Sequence, residues 1–486
     1  MKLARNAPQP QKVAMVKSTL PGLSLRAGHD PRIAALSVLH AVLCAGEDSQ
    51  AALNRHLASR EMVPADKSLC TELAYGALRA YNSLREDVYA LLDDPDGLPL
   101  EMRLRLCLAW YELDRLRVPP HAAINQAVRH IRERFGQRLA GVANGVLRSL
   151  LRRRKAEGAA RTGPSAGDET SLARRHAMPP WIVRLWTEQY GTESALAFLA
   201  ASSGRPPSGL RLNSAASGWT ERLRELVDSA RPENAPLRVG PAGLAYPGAL
   251  PGQARQLLAE GRASRQSAAS YQALFALDPA SWPSPIWDAC AGRGGKTLAL
   301  LEAGIPVALA SDPSAARLRA LRAEYARLAP KADLPVLLPL SVEQGSLPPS
   351  AENPGREKPL APFPEKLPEL FGSILVDAPC SGLGTLARRP EIRLRRVPEQ
   401  LSKLAAVQRA ILEAAWPRLR PGGQLIYLTC TLNKAENEEQ IAAFLLRHAQ
   451  AARIDEFNTP ASSVLGEFFY AARLLKIKES LPPSGE

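Results

Sequence analysis

From about residue 270 onward, short apolar runs rich in Val, Ile and Leu alternate with segments of helical periodicity, and no other feature limits the fold so sharply. "SPIWDA" reads as a strand, "GGKTLALLEAG" as a helix, "PVALASD" as a strand and "SAARLRALRAEYARLA" as a helix. The series continues through "LPVLLPLS", "FGSILVDAP", "AVQRAILEAAWPRL", "GGQLIYLTCT" and "KAENEEQIAAFLLRHA". Strands separated by helices form a parallel sheet covered on both faces, and ligands bind beyond the carboxyl ends of its strands. This part of the chain is therefore predicted to be α/β, with its chemistry at strand ends.

The texture upstream is different. At "HDPRIAALSVLHAVLCAG" Asp30 suits an N-cap, Pro31 suits the first helical position, and Ile33, Leu36, Leu39 and Leu43 recur at helical spacing. Helical patterns then fill residues 28–155 and strand signals are nearly absent, so an all-α domain is expected there. Before it, residues 1–27 carry Lys2, Arg5, Lys12, Lys17 and Arg26 and no acid, the pattern of a flexible basic arm. "AEGAARTGPSAGDET", residues 156–170, reads as a linker. Residues 171–268 mix two helical patterns with the turn and strand of "GRPPSGLRLN", a small α+β module. The α/β part is then bounded at 269–478, with 479–486 as a tail. A proline-rich stretch over 348–368 reads as an exposed loop. A chain of 486 residues is long enough for two or three such domains.

The formal net charge is +14, which favours a polyanionic partner, nucleic acid before a membrane surface. Arg129, Arg132, Arg134, Arg138, Arg148, Arg152, Arg153, Arg154 and Lys155 crowd the last helices of the all-α domain with few acids to balance them, which suits an RNA-facing surface. No apolar run approaches the roughly 20 residues of a membrane span. The N-terminus lacks the apolar core of a secretory signal, so the expected location is the cytoplasm. Six cysteines are present, none in a Cys-x-x-Cys pair, and no metal site is expected. Cys44, Cys70 and Cys107 sit in apolar helical contexts, whereas Cys290, Cys380 and Cys430 each lie within a motif.

"DACAGRGGKT", residues 288–297, ends like a phosphate-binding loop, but that pattern needs glycine where Cys290 stands. Gly292, Gly294 and Gly295 still let the backbone pass close to a ligand at a helix start. Asp312 ends the next strand, where an acid can bond vicinal ribose hydroxyls. A glycine loop and an acid signal a nucleoside cofactor, without distinguishing NAD from S-adenosylmethionine. "GSILVDAPCSGLGTLARRPEI" brings Asp377, Pro379 and Cys380 to another strand end, and "LIYLTCT" brings Cys430 to a third, followed by the acid-rich "NKAENEEQ". Two thiols and a carboxylate converging on a cofactor crevice point to covalent chemistry.

Residues 288–297, 377–395 and 425–440 together resemble the cofactor loop, the Pro-Cys motif and the Thr-Cys motif of RNA cytosine-C5 methyltransferases, most of all the bacterial Sun/Fmu/RsmB group acting on 16S ribosomal RNA. "INQAVRHIRERFGQRLAGVANGVLRSLLR" is similar to the NusB-like helical domain that opens those proteins. "GRPPSGLRLN" resembles their RNA-contacting module and "GEFFYAARLLKIK" their closing strand. The resemblance implies a multidomain protein with an all-α NusB-like domain, a small α+β RNA-contacting module and an α/β Rossmann-like class I methyltransferase domain. It implies S-adenosyl-L-methionine as cofactor and RNA as partner, with a monomer expected. By the same resemblance Cys430 is the nucleophile, Cys380 assists breakdown of the adduct, and Asp377 bonds the base near N3 while lying close to the cofactor. Cys290, Ala291, Gly292, Arg293, Gly294, Gly295 and Lys296 would wrap the methionine part of the cofactor, and Asp312 would take the ribose. Chemistry alone would allow the two thiols to exchange roles. Arg388, Arg389 and Arg393 are expected to meet RNA phosphates.

The chain departs from the family in places. Gly292-Arg293 stands where Ala-Pro is usual, and Ser267 where an Asp commonly follows the Gln. Ser341 or Glu343 is the nearest substitute for the acid that bonds the adenine amine. These changes bear on cofactor grip and keep a second reading open, a non-catalytic RNA-binding or assembly factor on a degenerate methyltransferase scaffold.

Overall fold

The computed structural model describes residues 30–58, 62–116, 118–157, 168–330, 332–342 and 368–478. The basic arm, most of the linker, most of the proline-rich stretch, Glu343 and the tail lie outside the described residues. The chain divides into two compact units: residues up to Pro179 together with Arg389–Leu394, and Pro180–Arg388 together with the chain from Arg395.

The first unit is helical: α1 (Pro31–Leu43), α2 (Ser49–Ala58), α3 (Pro64–Tyr89), α4 (Leu100–Arg115), α5 (Pro120–Phe135), α6 (Gln137–Glu157) and α7 (Glu169–Arg175). Asp30 caps α1 as its sequence predicts, accepting the Arg32 N–H at 2.8 Å. Met102, Leu104, Leu106, Leu108 and Trp110 of α4 are all buried, so this helix is wrapped on every side and forms the centre of the bundle. Cys70 and Cys107 are fully buried in the same core, as packing thiols should be.

The second unit begins with α8 (Pro180–Ser203), bent at Gly191, where φ is +79°. β1 (Ser208–Leu212), α9 (Trp219–Asp228), β2 (Leu237–Val239), β3 (Gly243–Tyr246), α10 (Gly252–Ala259), β4 (Ala263–Arg265) and α11 (Ala268–Phe275) follow. The four strands form an antiparallel sheet in the order β2-β3-β1-β4. Next come β5 (Ile286–Asp288), α12 (Gly295–Glu302), β6 (Leu309–Ser311), α13 (Ala315–Leu328), β7 (Val336–Leu338) and β8 (Phe371–Asp377). All of α14 (Glu391–Arg395) but its last residue belongs to the first unit, and the second closes with α15 (Glu399–Ala415), β9 (Leu419–Thr429), α16 (Glu438–Arg447), β10 (Ala451–Asn458) and β11 (Tyr470–Lys476).

These last seven strands make one sheet in the order β10-β11-β9-β8-β5-β6-β7. The five strands β5 to β9 run parallel, as the alternating pattern predicts, but β11 enters antiparallel beside β9 and β10 pairs antiparallel with β11. The parallel strands follow from the alternation, and the antiparallel edge pair extends them to seven. β10, "AARIDEFN", gives no strand signal because an edge strand with both charged and exposed positions carries no apolar run.

The buried strands read as continuous apolar runs because both faces of the sheet are covered. On β8, Leu375 faces the core shared with the antiparallel sheet and α12, while Ile374 and Val376 face the core formed with α15 and α16. Ile426 and Leu428 against Leu425 and Tyr427 divide the same way on β9. Strand order reverses between β5 and β8, so the carboxyl ends of these two strands, Asp288 and Asp377, flank the crevice where such sheets bind ligands. Among the described residues no helix is long and apolar enough to cross a membrane.

Candidate active site

The glycine loop turns tightly from β5 into α12. Gly292 and Gly294 take φ of +57° and +84°, conformations that L side chains rarely adopt. A Cβ on Gly294 would also come within 2.3 Å of the Leu321 side chain. One at Gly292 would meet nothing within 4 Å, so the backbone there borders open space. Ala291 N–H donates to the Ser311 carbonyl at 2.8 Å, and Gly292 N–H donates to Asp312 Oδ2 at 3.1 Å. Asp312 Oδ1 accepts the Ser314 N–H at 2.8 Å, and Arg317 lies 3.5 Å from the same carboxylate. Asp312 thus sits at the expected strand end, where it also holds the loop in place. Arg293 is exposed on that loop.

Two further supports of this loop escape sequence reasoning. Arg211 of β1 donates to both oxygens of Glu302, at 2.6 and 2.9 Å, and to the Gly295 carbonyl at 2.9 Å, so it spans α12 from first residue to last. Gln266 Nε2 donates to the same Gly295 carbonyl at 3.1 Å. An isolated Arg in a short strand carries no signal of such a partner.

Asp288 is buried, and its Oδ2 accepts the Thr297 hydroxyl at 2.6 Å. Burial pushes this carboxyl up to about 7 against the pull of the Thr297 hydroxyl, and the neighbouring Asp377 adds to the rise. Lys296 does not extend away from the protein: its Nζ lies 2.5 Å from Asp377 Oδ2 and 5.8 Å from the centre of the Phe469 ring. Burial alone would lower this lysine, but the charge of Asp377 and the hydrogen bond to it outweigh that and hold the ammonium above its ordinary value. Asp377 keeps a third of its side chain exposed.

Cys380 and Cys430, 50 residues apart, meet with their Sγ atoms 3.3 Å apart. The Cys430 N–H also points at Cys380 Sγ, at 3.4 Å. The two motifs are tied together one residue further along, where the hydroxyls of Ser381 and Thr431 lie 2.5 Å apart. Gly384 is required beneath them: a Cβ there would come within 2.1 Å of the Phe468 carbonyl oxygen. The hydrogen bond with Cys430, then burial, then the charges of Cys430 and Glu436 push the Cys380 thiol well above its ordinary value.

The acid-rich stretch after the Thr-Cys motif supplies this frame. Glu436 is fully buried; its Oε2 accepts from the Ser381 N–H at 2.7 Å and Gln408 Nε2 at 2.9 Å, and its Oε1 from Asn433 Nδ2 at 2.9 Å. Gln408 also donates to the Pro379 carbonyl at 3.0 Å. Asn437 accepts from the Thr429 hydroxyl at 2.5 Å and donates to the Thr431 carbonyl at 3.0 Å, gripping Cys430 from both sides. Closeness of "AEN" to the second cysteine is the available signal.

The three arginines expected to meet phosphates are engaged within the protein. Arg388 donates to Glu467 Oε2 at 2.7 and 3.0 Å and to the Pro207 carbonyl at 3.2 Å. Arg389 pairs with Asp48 at 2.9 Å and Glu391 at 3.4 Å. Arg393, 1% exposed, donates to the carbonyls of Arg79 at 3.0 Å and His176 at 3.3 Å, and burial pulls its guanidinium down to about 9. An arginine run has the same composition whether it faces solvent or satisfies buried carbonyls; Arg393 does the latter, while Arg388 and Arg389 stay partly exposed and pair with carboxylates. Ser267 caps α11, accepting the Ser270 N–H at 3.2 Å, and donates to Glu467 at 2.8 Å. Ser341 follows β7 close to Asp312, whose carbonyl accepts the Leu340 N–H at 3.3 Å. Among the described residues no group of three or more His, Cys, Asp or Glu is placed to hold a metal ion.

Comparison with known proteins gives the same two parts. The NusB family matches residues 29–152, and the family described as 16S rRNA methyltransferase RsmB/F matches residues 274–475. The chain is 31% identical over 453 residues to ribosomal RNA small subunit methyltransferase B of Vibrio cholerae, spanning 90% of this chain and 96% of that one. It is 32% identical to a probable ribosomal RNA small subunit methyltransferase B of Synechocystis, over 82% of this chain and 84% of that one. In fold it is similar to the crystal structure of PH0851, with a TM-score of 0.70 at 20% identity, covering 92% of this chain and 99% of the other. A methyltransferase homolog protein from Pyrococcus horikoshii matches with a TM-score of 0.51 at 20% identity, over 64% of this chain and 100% of its own.

Proposed function

Because the chain belongs to the RsmB/F family of 16S rRNA methyltransferases, we propose that it transfers a methyl group from S-adenosylmethionine to C5 of a cytidine in small-subunit ribosomal RNA. The observation that carries the reading is the pair of thiols 3.3 Å apart at two neighbouring strand ends, beside the Lys296–Asp377 pair. A methyltransferase acting on a nucleophilic base nitrogen has no use for two such thiols. C5 of cytosine does, because it is too poor a nucleophile to take a methyl group unaided.

The residues fit the cofactor. The turn at Gly292 leaves its backbone facing open space at the strand-order reversal, and Asp312 retains acceptor capacity beyond the two N–H groups it holds. Residues 290–295 would hold the methionine part and Asp312 the ribose; the cofactor supplies an electrophilic methyl group. Cys430 adds to C6 of the base, forming a carbon–sulfur bond and moving the C5–C6 π electrons onto C5. Asp377, exposed enough to reach a substrate and steadied by Lys296, bonds the base near N3, where charge develops. With that electron pair C5 takes the methyl group; the C5 proton then leaves to a base, the C–H pair re-forms the C5–C6 double bond, and the bond to Cys430 breaks with its pair returning to sulfur. Cys380 handles that proton. While Cys430 is a free thiolate its charge keeps Cys380 protonated; once Cys430 is a thioether that opposition is gone, and Cys380 can release its proton to solvent and, as a thiolate, take the proton from C5.

The base must leave its stack to admit the thiol, so the RNA needs a grip elsewhere. Exposed Arg132, Arg138, Arg148, Arg152 and Arg153 on α5 and α6 offer phosphate contacts in the helical unit. The deciding experiment is transfer of labelled methyl from S-adenosylmethionine to small-subunit ribosomal RNA, with bisulfite sequencing to locate it. Label found on a base other than cytosine would overturn the assignment of C5.

A further inference from the structure

Two thiols within 3.3 Å cannot both ionise freely, so something must decide which one keeps its proton. The surroundings of the pair are asymmetric. On the Cys430 side stands Lys296, whose ammonium is held up in part by the Cys430 charge. On the Cys380 side stands Glu436, a fully buried carboxylate whose hydrogen bonds among the described residues all come from uncharged N–H donors. One donor is the backbone N–H of Ser381, the residue next to Cys380.

We propose that Glu436 is a positioning residue of the two-thiol site: its buried carboxylate locks the Cys380–Ser381 turn and keeps the proton on Cys380, so that Cys430 carries the negative charge. A buried carboxylate that accepts three N–H bonds, with no cation among those donors, carries its charge without being neutralised, and its field disfavours a second anion nearby. The other groups around Cys380 do not reverse this. Tyr427 is buried and donates its hydroxyl to the Glu436 carbonyl at 2.7 Å, and its phenol is itself pushed well up, by burial first, so it stays neutral. Arg396 donates to the Ser381 carbonyl at 3.2 Å and the Cys430 N–H points at Cys380 Sγ; both favour charge on Cys380, and they are opposed by burial, Cys430 and Glu436 together. Lys434 lies over the Tyr190 ring, 5.5 Å from its centre. Glu436 therefore assigns the roles of nucleophile and proton carrier that the thiols' own chemistry leaves interchangeable.

The inference rests on the reading of Cys430 as nucleophile, and its test does not need methyl transfer. The full-length protein is alkylated with iodoacetamide across a pH series, and each cysteine-containing peptide is followed by mass spectrometry. In the unmodified sequence the midpoint for Cys380 should lie above that for Cys430. Glu436→Gln, which keeps the shape and removes the charge, should bring the Cys380 midpoint down, and Glu436→Asp should largely restore it. A Cys380 profile in folded Glu436→Gln that overlays the original overturns the proposal. If Glu436→Gln does not fold, the unmodified protein and Glu436→Asp decide together: coincident or reversed midpoints in the former overturn the proposal, and an ordered pair that is kept in Glu436→Asp upholds it. Ordered alkylation in a protein that transfers no methyl group would sink the proposed activity alone, and an active enzyme with unordered alkylation would sink this inference alone.

Discussion

Cys380 and Cys430 lie with their sulfur atoms 3.3 Å apart, although each belongs to a different strand end and 50 residues separate them. Such proximity makes the two thiols a single chemical unit, and single replacements should have unlike consequences. Cys430→Ala should abolish labelled methyl transfer to RNA. Cys380→Ala should instead accumulate a protein–RNA adduct that survives denaturing electrophoresis, and the double replacement should lose it. An adduct that persists in the double variant would show that neither assignment holds.

Lys296 neutralises Asp377 in a place where Asp288 is also buried. Lys296→Met would leave the two acids facing each other, and one would take up a proton. Methyl transfer should fall by about 100-fold or more, on the scale of losing one electrostatic partner in a water-poor site. Affinity for RNA should change little, because this ammonium is buried against Asp377. Equilibrium RNA binding and single-turnover rates separate the two effects.

The raised titration of Asp288 has a definite sign. Below about pH 4 the carboxyl is protonated in both folded and unfolded chains, and it contributes nothing to the pH dependence. Between there and about 7 the unfolded chain releases a proton that the folded chain keeps, so stability falls with rising pH. Above 7 the loss levels off at a magnitude on the order of 4 kcal/mol. Asp288→Asn removes this dependence, so its melting temperature relative to the original protein should rise between about pH 4 and pH 8. A difference that stays flat across that range would show that Asp288 titrates normally.

The arginines divide by burial into two groups with separable effects. Arg393→Ala leaves the Arg79 and His176 carbonyls without their donor and empties a filled site, so it should cost about 2–3 kcal/mol of stability. The salt dependence of RNA binding should be unaffected. Replacing Arg148, Arg152 and Arg153 with Gln should do the reverse. The melting temperature should hold, while the slope of log affinity against log salt should drop by about 2, since each neutralised phosphate of a single strand adds roughly 0.7 to it. Fluorescence anisotropy across a salt series distinguishes the two groups.

Much of this protein is legible in its residues alone. Apolar periodicity locates the helical unit and the five parallel strands, because each local pattern matches the face that the element buries. The failure of the phosphate-loop pattern at Cys290, the acid at Asp312 and the two cysteine motifs place the chemistry at strand ends. β10 is illegible because an exposed edge strand buries too little to need apolar residues. Arg393 misleads because burial does not change composition.

By itself, then, the sequence determined the helices of the first unit, the parallel strands and the types of reactive groups at their ends, since hydrophobic periodicity, capping and turn chemistry act over a few neighbouring residues. Only the tertiary structure decided the pairings. Lys296 finds Asp377 across 81 residues, Cys380 finds Cys430 across 50, and Arg211 spans α12 from another sheet, 91 residues from Glu302. These pairings depend on which strands lie side by side and on the burial that strips water from the groups between them. Local pattern encodes neither, and both are needed to set which carboxyl, which ammonium and which thiol carries charge.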